Sequence, residues 1–233
     1  MSKKIILLAG PTASGKSQLA IQLAKKINGE IINADSMQTY KEFLVLSSRP
    51  NKKDLKKVKH HLYGFISVKK YFSAGDWLKL AKAKILECHK NKKIPVIVGG
   101  TGLYFNAITK GISKIPSIDL KTRVKVRSLF KKLGYKKFYE KLLSIDPKVK
   151  DRILPTDSQR SQRAYEVFQK TQKSLFDWIL NTQTDFENHK IKKIYLSIPK
   201  NELLKRIFLR TELMFRNNCM NEVKKFNLLK LDK

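Results

Sequence analysis

Short apolar runs alternate with amphipathic stripes along the first 110 residues of the chain. The runs typical of buried strands are Ile5–Ala9, Glu30–Ser36 and Ile94–Val98. The stripes with helical spacing are Lys16–Ile27, a segment that begins with the capping-box residues Ser73–Asp76, and Leu103–Thr109. Because strand and helix alternate three times, the pattern predicts an α/β fold in which helices flank a parallel sheet.

The pattern changes near Gly111 and Pro116, and from Asp119 to about Leu180 only helical stripes follow. The predicted helices are Asp119–Lys132, closed by Gly134, Tyr135–Leu143, and Asp157–Lys170 with Asp157 as its cap. Strand character then returns at Ile191–Ile198, and a helix is predicted at Asn201–Arg216. We therefore expect one core from residues 1–114 and 186–233, with residues 115–185 inserted as an all-helical subdomain.

The first strand leads into a phosphate-binding motif, which reads Gly10, Pro11, Thr12, Ala13, Ser14, Gly15, Lys16, Ser17. Gly10 and Gly15 permit a tight turn that points backbone N–H groups inward, and the following helix adds its positive N-terminal end. Lys16 supplies a full positive charge, and the Ser17 hydroxyl can hold Mg²⁺. The preceding strand and following helix argue against a chance match. This motif therefore predicts a di- or triphosphate site in a P-loop NTPase-like core.

Two polar residues follow the other strands at the same predicted edge of the sheet. In an open α/β sheet the carboxyl ends of the strands face the ligand crevice. Asp35 follows the second strand and Thr101 follows the third, so both are expected beside Lys16. Asp35 as an ordinary turn or N-cap residue is the alternative. Arg206 and Arg210, four apart on the last predicted helix, could close over the phosphates.

This set of groups serves two kinds of reaction. In phosphoryl transfer the carboxylate assists the acceptor and Mg²⁺ bridges the phosphates. In the other reaction the phosphates leave, and the carboxylate removes a proton from the attacking atom. No acidic residue closes the strand Ile94–Val98, which runs into Gly99 and Gly100. That absence disfavours an ordinary ATPase, but the motif alone leaves both reactions open.

The charge of the chain points to a polyanionic partner. Lys and Arg number 50 against 19 Asp and Glu, for a net charge of +31. Residues 119–173 hold 16 Lys and Arg and 6 Asp and Glu, a surplus of 10 in the helical insertion. Arg160 and Arg163 share a helix face there, which suits phosphate and base contacts. Lysines that only solvate the surface, and a merely solvated arginine face, are the alternatives.

The cysteine, histidine and hydropathy patterns predict neither a metal site, nor a disulfide framework, nor a membrane segment. Cys88 and Cys219 are spaced neither as a metal knuckle nor as a disulfide framework. His60 and His61 are adjacent, point to different faces and are expected to have no other cluster of ligand groups nearby, so no metal site is expected from them. The chain has no 18-residue apolar run and no signal peptide, which favours a cytoplasmic protein without a membrane segment.

Taken in order, the motifs resemble those of the tRNA dimethylallyltransferase family, also called IPP transferases. The matching stretches cover almost the whole chain and are Gly10–Ser17, Asp35–Tyr40, His60–Leu62, Ser73–Asp76, Gly99–Tyr104, Asp157–Ala164, and Arg206, Ile207, Arg210, Met214, Glu222 and Val223. The resemblance implies transfer of a dimethylallyl group from dimethylallyl diphosphate to the N6 amine of the adenine next to the anticodon in tRNA. Pyrophosphate is the second product.

The resemblance also assigns roles to residues. Asp35 is implied as the general base, Thr101 as a contact to the target nucleotide, and the loop from Gly10 to Ser17 as the diphosphate site with Mg²⁺ at Ser17. At least one of Arg206 and Arg210 is expected to face the diphosphate. Contacts to tRNA are implied for Asp35, Ser36, Met37, Gln38, Thr101, Arg123, Gln159, Arg160, Ser161, Gln162 and Arg163.

Two rival functions remain at this point. A small-molecule or nucleotide kinase would bind ATP in the same loop and would have no use for the basic insertion. A non-catalytic RNA-binding remnant would bind tRNA without forming product. Family members normally continue past the position of Lys233 with a basic, aromatic tail, so we expect diphosphate binding to be better preserved than tRNA affinity. A monomer is expected.

Overall fold

The computed structural model describes residues 3–229 and 231, so Lys233 lies outside the described residues. The chain divides into two compact units. The first comprises Met1–Thr109 and Phe186–Lys233, and the second comprises Lys110–Asp185. The first unit is thus built from two separate stretches of the chain.

A five-stranded parallel sheet forms the centre of the first unit, as the alternating pattern predicts. The strands are β1 Lys4–Ala9, β2 Gly29–Asn33, β3 His60–His61, β4 Ile94–Gly99 and β5 Lys190–Tyr195. Their order is β3-β2-β4-β1-β5, and every pair is parallel. This order brings the carboxyl ends of β1, β2 and β4 to one edge of the sheet. The short strand β3 was not expected, because its two residues carry no periodicity.

Helices follow or separate the strands in the predicted alternation. In chain order they are α1 Lys16–Lys26, α2 Lys52–Lys57, α3 Ala74–Lys90, α4 Gly102–Thr109, α5 Leu120–Ile145, α6 Ser158–Thr171, α7 Leu175–Leu180, α8 Lys200–Arg216 and α9 Cys219–Asn227. The stretch from Met37 to Lys70, for which the sequence analysis predicts no helix or strand, contains α2 and β3. Among the described residues no helix is both long enough and apolar enough to cross a membrane.

Local sequence signals explain where the main helices begin and end. Ser73 and Asp76 form the predicted capping box of α3, with Ser73 N donating to Asp76 Oδ2 at 2.9 Å and Asp76 N donating to Ser73 Oγ at 3.2 Å. After α1 the chain turns at Asn28, which has a left-handed φ of 54°. Gly29 then begins β2, where a Cβ would lie 2.7 Å from Ile94 O.

Apolar side chains hold the sheet and its helices together. Helix α1 buries Ala20 and Ala24 against Leu8, Ile31 and Val98 of the central strands. The rings of Trp77 on α3 and Tyr104 on α4 stack with their centroids 4.2 Å apart. Burial of these side chains supplies most of the drive for folding, at about 25 cal/mol for each Å² of apolar surface removed from water. The result is a rigid platform beneath the loops at the sheet edge.

A buried polar cluster joins β2, β3 and α3 through Glu30, His61 and Cys88. Glu30 Oε2 lies 2.6 Å from His61 Nε2 and accepts a bond from Cys88 Sγ at 3.7 Å. The expectation that His61 has no neighbouring ligand groups is therefore wrong. Burial and the nearby Glu30 raise the pKa of the Cys88 thiol to about 12, so the thiol keeps its proton at neutral pH. We interpret the cluster as a hydrogen-bonded tie between three elements.

The second unit is helical, with its own apolar core. Helix α5 is interrupted at Gly134, whose φ of 70° and ψ of 172° divide it into two helices, as predicted. Asp157 caps α6 by accepting a hydrogen bond from Arg160 N at 3.1 Å, also as predicted. The core includes Phe138, Leu142, Val149, Ala164 and Tyr165.

Candidate active site

The phosphate-binding motif forms the loop between β1 and α1. Ala13 and Gly15 have left-handed φ values of 62° and 85°, and these turns compact the loop. A Cβ on Gly10 would lie 2.9 Å from Ser14 Oγ and 3.1 Å from Leu196 Cβ, so a larger residue here would force these neighbours to shift. Lys16 Nζ donates to Pro11 O at 3.1 Å, which holds the ammonium group over the loop.

One cavity of about 150 Å³ connects this loop to the other predicted site residues. It is lined by the loop from Thr12 to Gln18 and by Asp35, Gln38, Ser48 and Arg210. The structure therefore brings together, as expected, the ends of β1 and β2 and an arginine of α8. A larger cavity of about 480 Å³ lies in the second unit, but it contains no phosphate loop and is lined by Asp177 and Asp185 as well as lysines.

Asp35 is held by a local hydrogen-bond network just beyond β2. Its backbone N donates to Asn33 Oδ1 at 2.9 Å, and Asn33 Nδ2 donates to Asp35 O at 2.9 Å and to Leu62 O at 3.0 Å. Asp35 Oδ1 accepts a bond from Met37 N at 3.0 Å, which orients the carboxylate. Asn33 is completely buried, and in the sequence pattern it is only a residue of the second strand. No sequence signal identifies it, because its burial and its bonds to Asp35 and Leu62 appear only in the fold.

Thr101 ties the loop after β4 to the segment that carries Asp35. Its Oγ1 accepts a bond from Ser36 N at 2.9 Å, and its N donates to Ala34 O at 3.2 Å. The strand ends approach so closely that a Cβ on Gly99 would lie 2.0 Å from Ala34 O. Thr101 thus lies beside Asp35, at the predicted sheet edge.

Two cations and one carboxylate dominate the charge of the cavity. Burial lowers the pKa of Lys16, Asp35 opposes this shift, and Arg210 adds to it. Burial also lowers the pKa of Arg210, and Asp35 again opposes the shift. A polyanionic group placed between Lys16 and Arg210 would therefore relieve their mutual repulsion.

The two predicted arginines of α8 occupy different positions. Arg210 lines the cavity, whereas Arg206 is exposed and donates to Glu202 on the same helix. A Cβ on Gly15 would lie 3.9 Å from Arg206 Nη1, so Arg206 passes beside the loop. Of the two, Arg210 has the position suited to contact a ligand inside the cavity.

Of the other predicted RNA-contacting residues of the first unit, Met37 and Gln38 lie on a short 3₁₀ turn, Met37–Thr39, that Ser36 precedes, and Thr101 lies in the loop after β4. Met37 is 54% exposed, and Ser36 is held by Thr101. Gln38 Nε2 donates to Ser47 O at 2.8 Å and to Ser48 O at 3.1 Å. The side chain of Gln38 is therefore fixed at the cavity wall.

The remaining predicted RNA contacts lie in the second unit, with Arg123 on α5 and the others on α6. Gln159 and Arg160 are exposed, whereas Gln162 and Arg163 are half-buried. Arg163 Nη1 lies 3.4 Å from Glu166 Oε2. Ser161 is only 1% exposed, so the surface that α6 presents near its start is formed by Gln159 and Arg160.

The sequence model of the family described as "IPP transferase" matches residues 38–232. A tRNA dimethylallyltransferase of Pelagibacter ubique is 52% identical over 230 residues, which cover 99% of this chain. This chain belongs to the IPP transferase family. Another member, the tRNA dimethylallyltransferase of Rickettsia conorii, is 40% identical over 222 residues.

Solved structures resemble this IPP transferase over nearly its full length. A eukaryotic dimethylallyltransferase, crystallised as it acts on tRNA, matches 98% of the chain with a TM-score of 0.83 and 28% identity. The tRNA isopentenylpyrophosphate transferase of Bacillus halodurans matches 99% with a TM-score of 0.67 and 29% identity. The chain spans 74% of the Pelagibacter relative, 61% of the Rickettsia relative and 56% of the eukaryotic chain.

Proposed function

We propose that this IPP transferase transfers a dimethylallyl group from dimethylallyl diphosphate to the N6 amine of the adenine 3′-adjacent to the anticodon in tRNA. The observation that carries the proposal is the single cavity that the phosphate loop, Asp35, Gln38 and Arg210 line together. The loop suits a diphosphate, and a carboxylate in the same cavity suits the removal of a proton from a nucleophile bound there. The family to which the chain belongs supports the same reaction.

Each group has a defined task in this reaction. The allylic carbon–oxygen bond breaks, and its electron pair leaves on pyrophosphate, where Lys16, Arg210 and the loop amides stabilise the growing charge. The new bond forms between that carbon and N6 of adenine. The lone pair of the amine is delocalised into the ring, so Asp35 takes its proton as the bond forms. Thr101, through Ser36, holds the Asp35 segment in place.

The Ser17 hydroxyl and the Asp35 carboxylate line the same cavity, and both are oxygen groups of the kind that Mg²⁺ prefers. We propose that Ser17 would hold Mg²⁺ there together with the diphosphate. The ion would supply further positive charge to the leaving group. The residues of this chain bind the diphosphate, orient the two substrates and take up the proton.

The target adenine must leave the base stack before its amine can reach Asp35. We propose that the segment Asp35–Gln38 reads the extruded base and that Arg123, Gln159, Arg160, Gln162 and Arg163 contribute to tRNA binding from the second unit. Ser161, which the sequence predicts as a further contact, is buried in α6 and is left out of the proposal. The net charge of +31 supports a polyanionic substrate. We further propose that the protein acts as a cytoplasmic monomer.

The test combines Mg²⁺, labelled dimethylallyl diphosphate and an anticodon stem-loop with the purified chain. Label is expected on the RNA, and Asp35→Asn is expected to lower the rate by roughly 10²- to 10⁴-fold without weakening pyrophosphate binding. Asp151→Asn, at an exposed aspartate of the second unit, is the matched control. Equal rates in Asp35→Asn and the parent would refute the role of Asp35. ATP turnover without label transfer would favour a kinase.

A further inference from the structure

Glu222 on α9 binds a loop that is distant in sequence. Its Oε1 accepts bonds from Leu44 N at 2.9 Å and Val45 N at 2.8 Å, and its Oε2 accepts from Leu46 N at 3.0 Å. Three consecutive N–H groups that converge on one carboxylate form an anion-binding concavity, here filled by a side chain of the same protein. The resemblance of the sequence to its family includes Glu222, but the proposed reaction gives it no task.

The contact is strong enough to fix the loop. Bonds from backbone N–H groups to an ionised carboxylate are about twice as strong as those between neutral groups. The rings of Phe43 and Phe226 add an apolar contact between the same two elements, with their centroids 5.2 Å apart. Ser47 Oγ donates to Phe43 O at 2.5 Å, which closes the loop on itself. Residues 43–47 are thus held as one piece against α9.

The same loop determines which way the Gln38 amide faces. The carbonyl oxygens of Ser47 and Ser48 can only accept, so the NH₂ group of Gln38 must face them and uses both its hydrogens. The hydrogen-bonding capacity that remains to Gln38 is that of its Oε1 atom, an acceptor. Gln38 and Ser48 line the cavity that contains Asp35.

We propose that Glu222 is a positioning residue for base selectivity. By holding residues 43–47, it keeps the Ser47 carbonyl in place and so keeps Gln38 as an acceptor at the cavity wall. An acceptor there can bind the exocyclic amine of adenine, whereas a base with a carbonyl oxygen at that position would place acceptor against acceptor. This inference rests on the proposed function, because it assumes that an extruded purine enters the cavity.

The test compares two competitor stem-loops, one with adenine and one with hypoxanthine at the target position. Their inhibition constants against labelled transfer give a discrimination ratio. Glu222→Ala is expected to lower this ratio about tenfold, the worth of one well-formed hydrogen bond. In a Gln38→Ala background the same change is expected to have no further effect. Glu187→Ala, at an exposed glutamate, is the matched control and should leave the ratio unchanged.

Hydrogen exchange provides a readout that is independent of catalysis, because the amides of Leu44, Val45 and Leu46 should exchange faster in Glu222→Ala. If that variant does not fold, Glu222→Gln keeps one acceptor oxygen and is expected to lower the ratio by a smaller factor. An unchanged ratio in a folded, active variant overturns the inference, as does an equal drop in the Gln38→Ala background. Absence of label transfer by the parent would instead refute the proposed function.

Discussion

Replacing Gly99 with alanine should damage the active site from within the sheet. The added Cβ would lie 2.0 Å from Ala34 O, 2.1 Å from Ala34 C and 2.7 Å from Asp35 N. Ordinary contact begins at 3.4 Å, so the end of β2 must move by about 1.4 Å, the difference between 3.4 and 2.0 Å. All three atoms are backbone, so no side-chain rotation can relieve the clash.

The clash acts on the atoms that position the proposed base. Ala34 O accepts the bond from Thr101 N, and the displaced peptide bond leads into Asp35. Overpacking of a well-packed interior costs about 1–3 kcal/mol and sometimes more, and we expect Gly99→Ala at the upper end. A misplacement of about 1 Å in a catalytic group can cost about 100-fold in rate. We therefore expect a lower free energy of unfolding and a fall in label transfer of about that size.

Urea unfolding gives the stability change, and the label-transfer assay gives the rate. Gly102→Ala is the matched control, because a Cβ there meets no atom within 4 Å and the residue begins α4. That variant should keep its activity and its stability. If Gly99→Ala unfolded at the same urea concentration as the parent and transferred label at the same rate, the close approach of β2 and β4 would not hold the site.

Three further predictions concern charge and burial. Burial lowers the pKa of Lys16 from 10.5, and pyrophosphate binds the protonated amine. Pyrophosphate affinity should therefore fall as the pH rises through that pKa. Calorimetry should show this fall in the parent and not in Lys16→Arg. His61→Ala should lower the free energy of unfolding in urea by about 1–3 kcal/mol, because it leaves the Glu30 carboxylate buried without its imidazole partner. An unchanged urea midpoint would contradict a stabilising role for the cluster of Glu30, His61 and Cys88. Arg160→Ala should reduce the slope of stem-loop affinity against salt by about one, whereas a contact-free arginine would leave it unchanged.

Four strands of the sheet and the longer helices could be predicted because their signals are local, whereas β3, α2 and α9 were not predicted. The apolar runs, the motif from Gly10 to Ser17 and the capping box at Ser73 each depend on residues close together in sequence. The break at Gly134 could be predicted for the same reason, since a left-handed φ favours glycine. These elements needed no knowledge of tertiary contacts.

The contacts between distant residues could not be predicted. Nothing in the pattern around Glu30 indicates that Cys88 and His61 lie against it, because α3 and β3 bring them there. The bonds from Glu222 to residues 44–46 span at least 176 positions, and no periodicity reports them. Asn33 reads as an ordinary strand residue until its amide is seen to bond both Asp35 and Leu62.

The order of the strands has a consequence for synthesis on the ribosome. Strands β1 to β4 are complete in sequence by Gly99, but β5, which pairs with β1 from Lys4 to Ala9, begins only at Lys190. The first residue of β5 lies 91 positions after the last residue of β4, the difference between 190 and 99. At a synthesis rate of roughly 5–20 residues per second, the β5 side of β1 stays unpaired for about 5–18 s. An apolar edge strand is an aggregation hazard during that interval, and Lys3 and Lys4, at its start, supply charge that discourages pairing with another nascent chain.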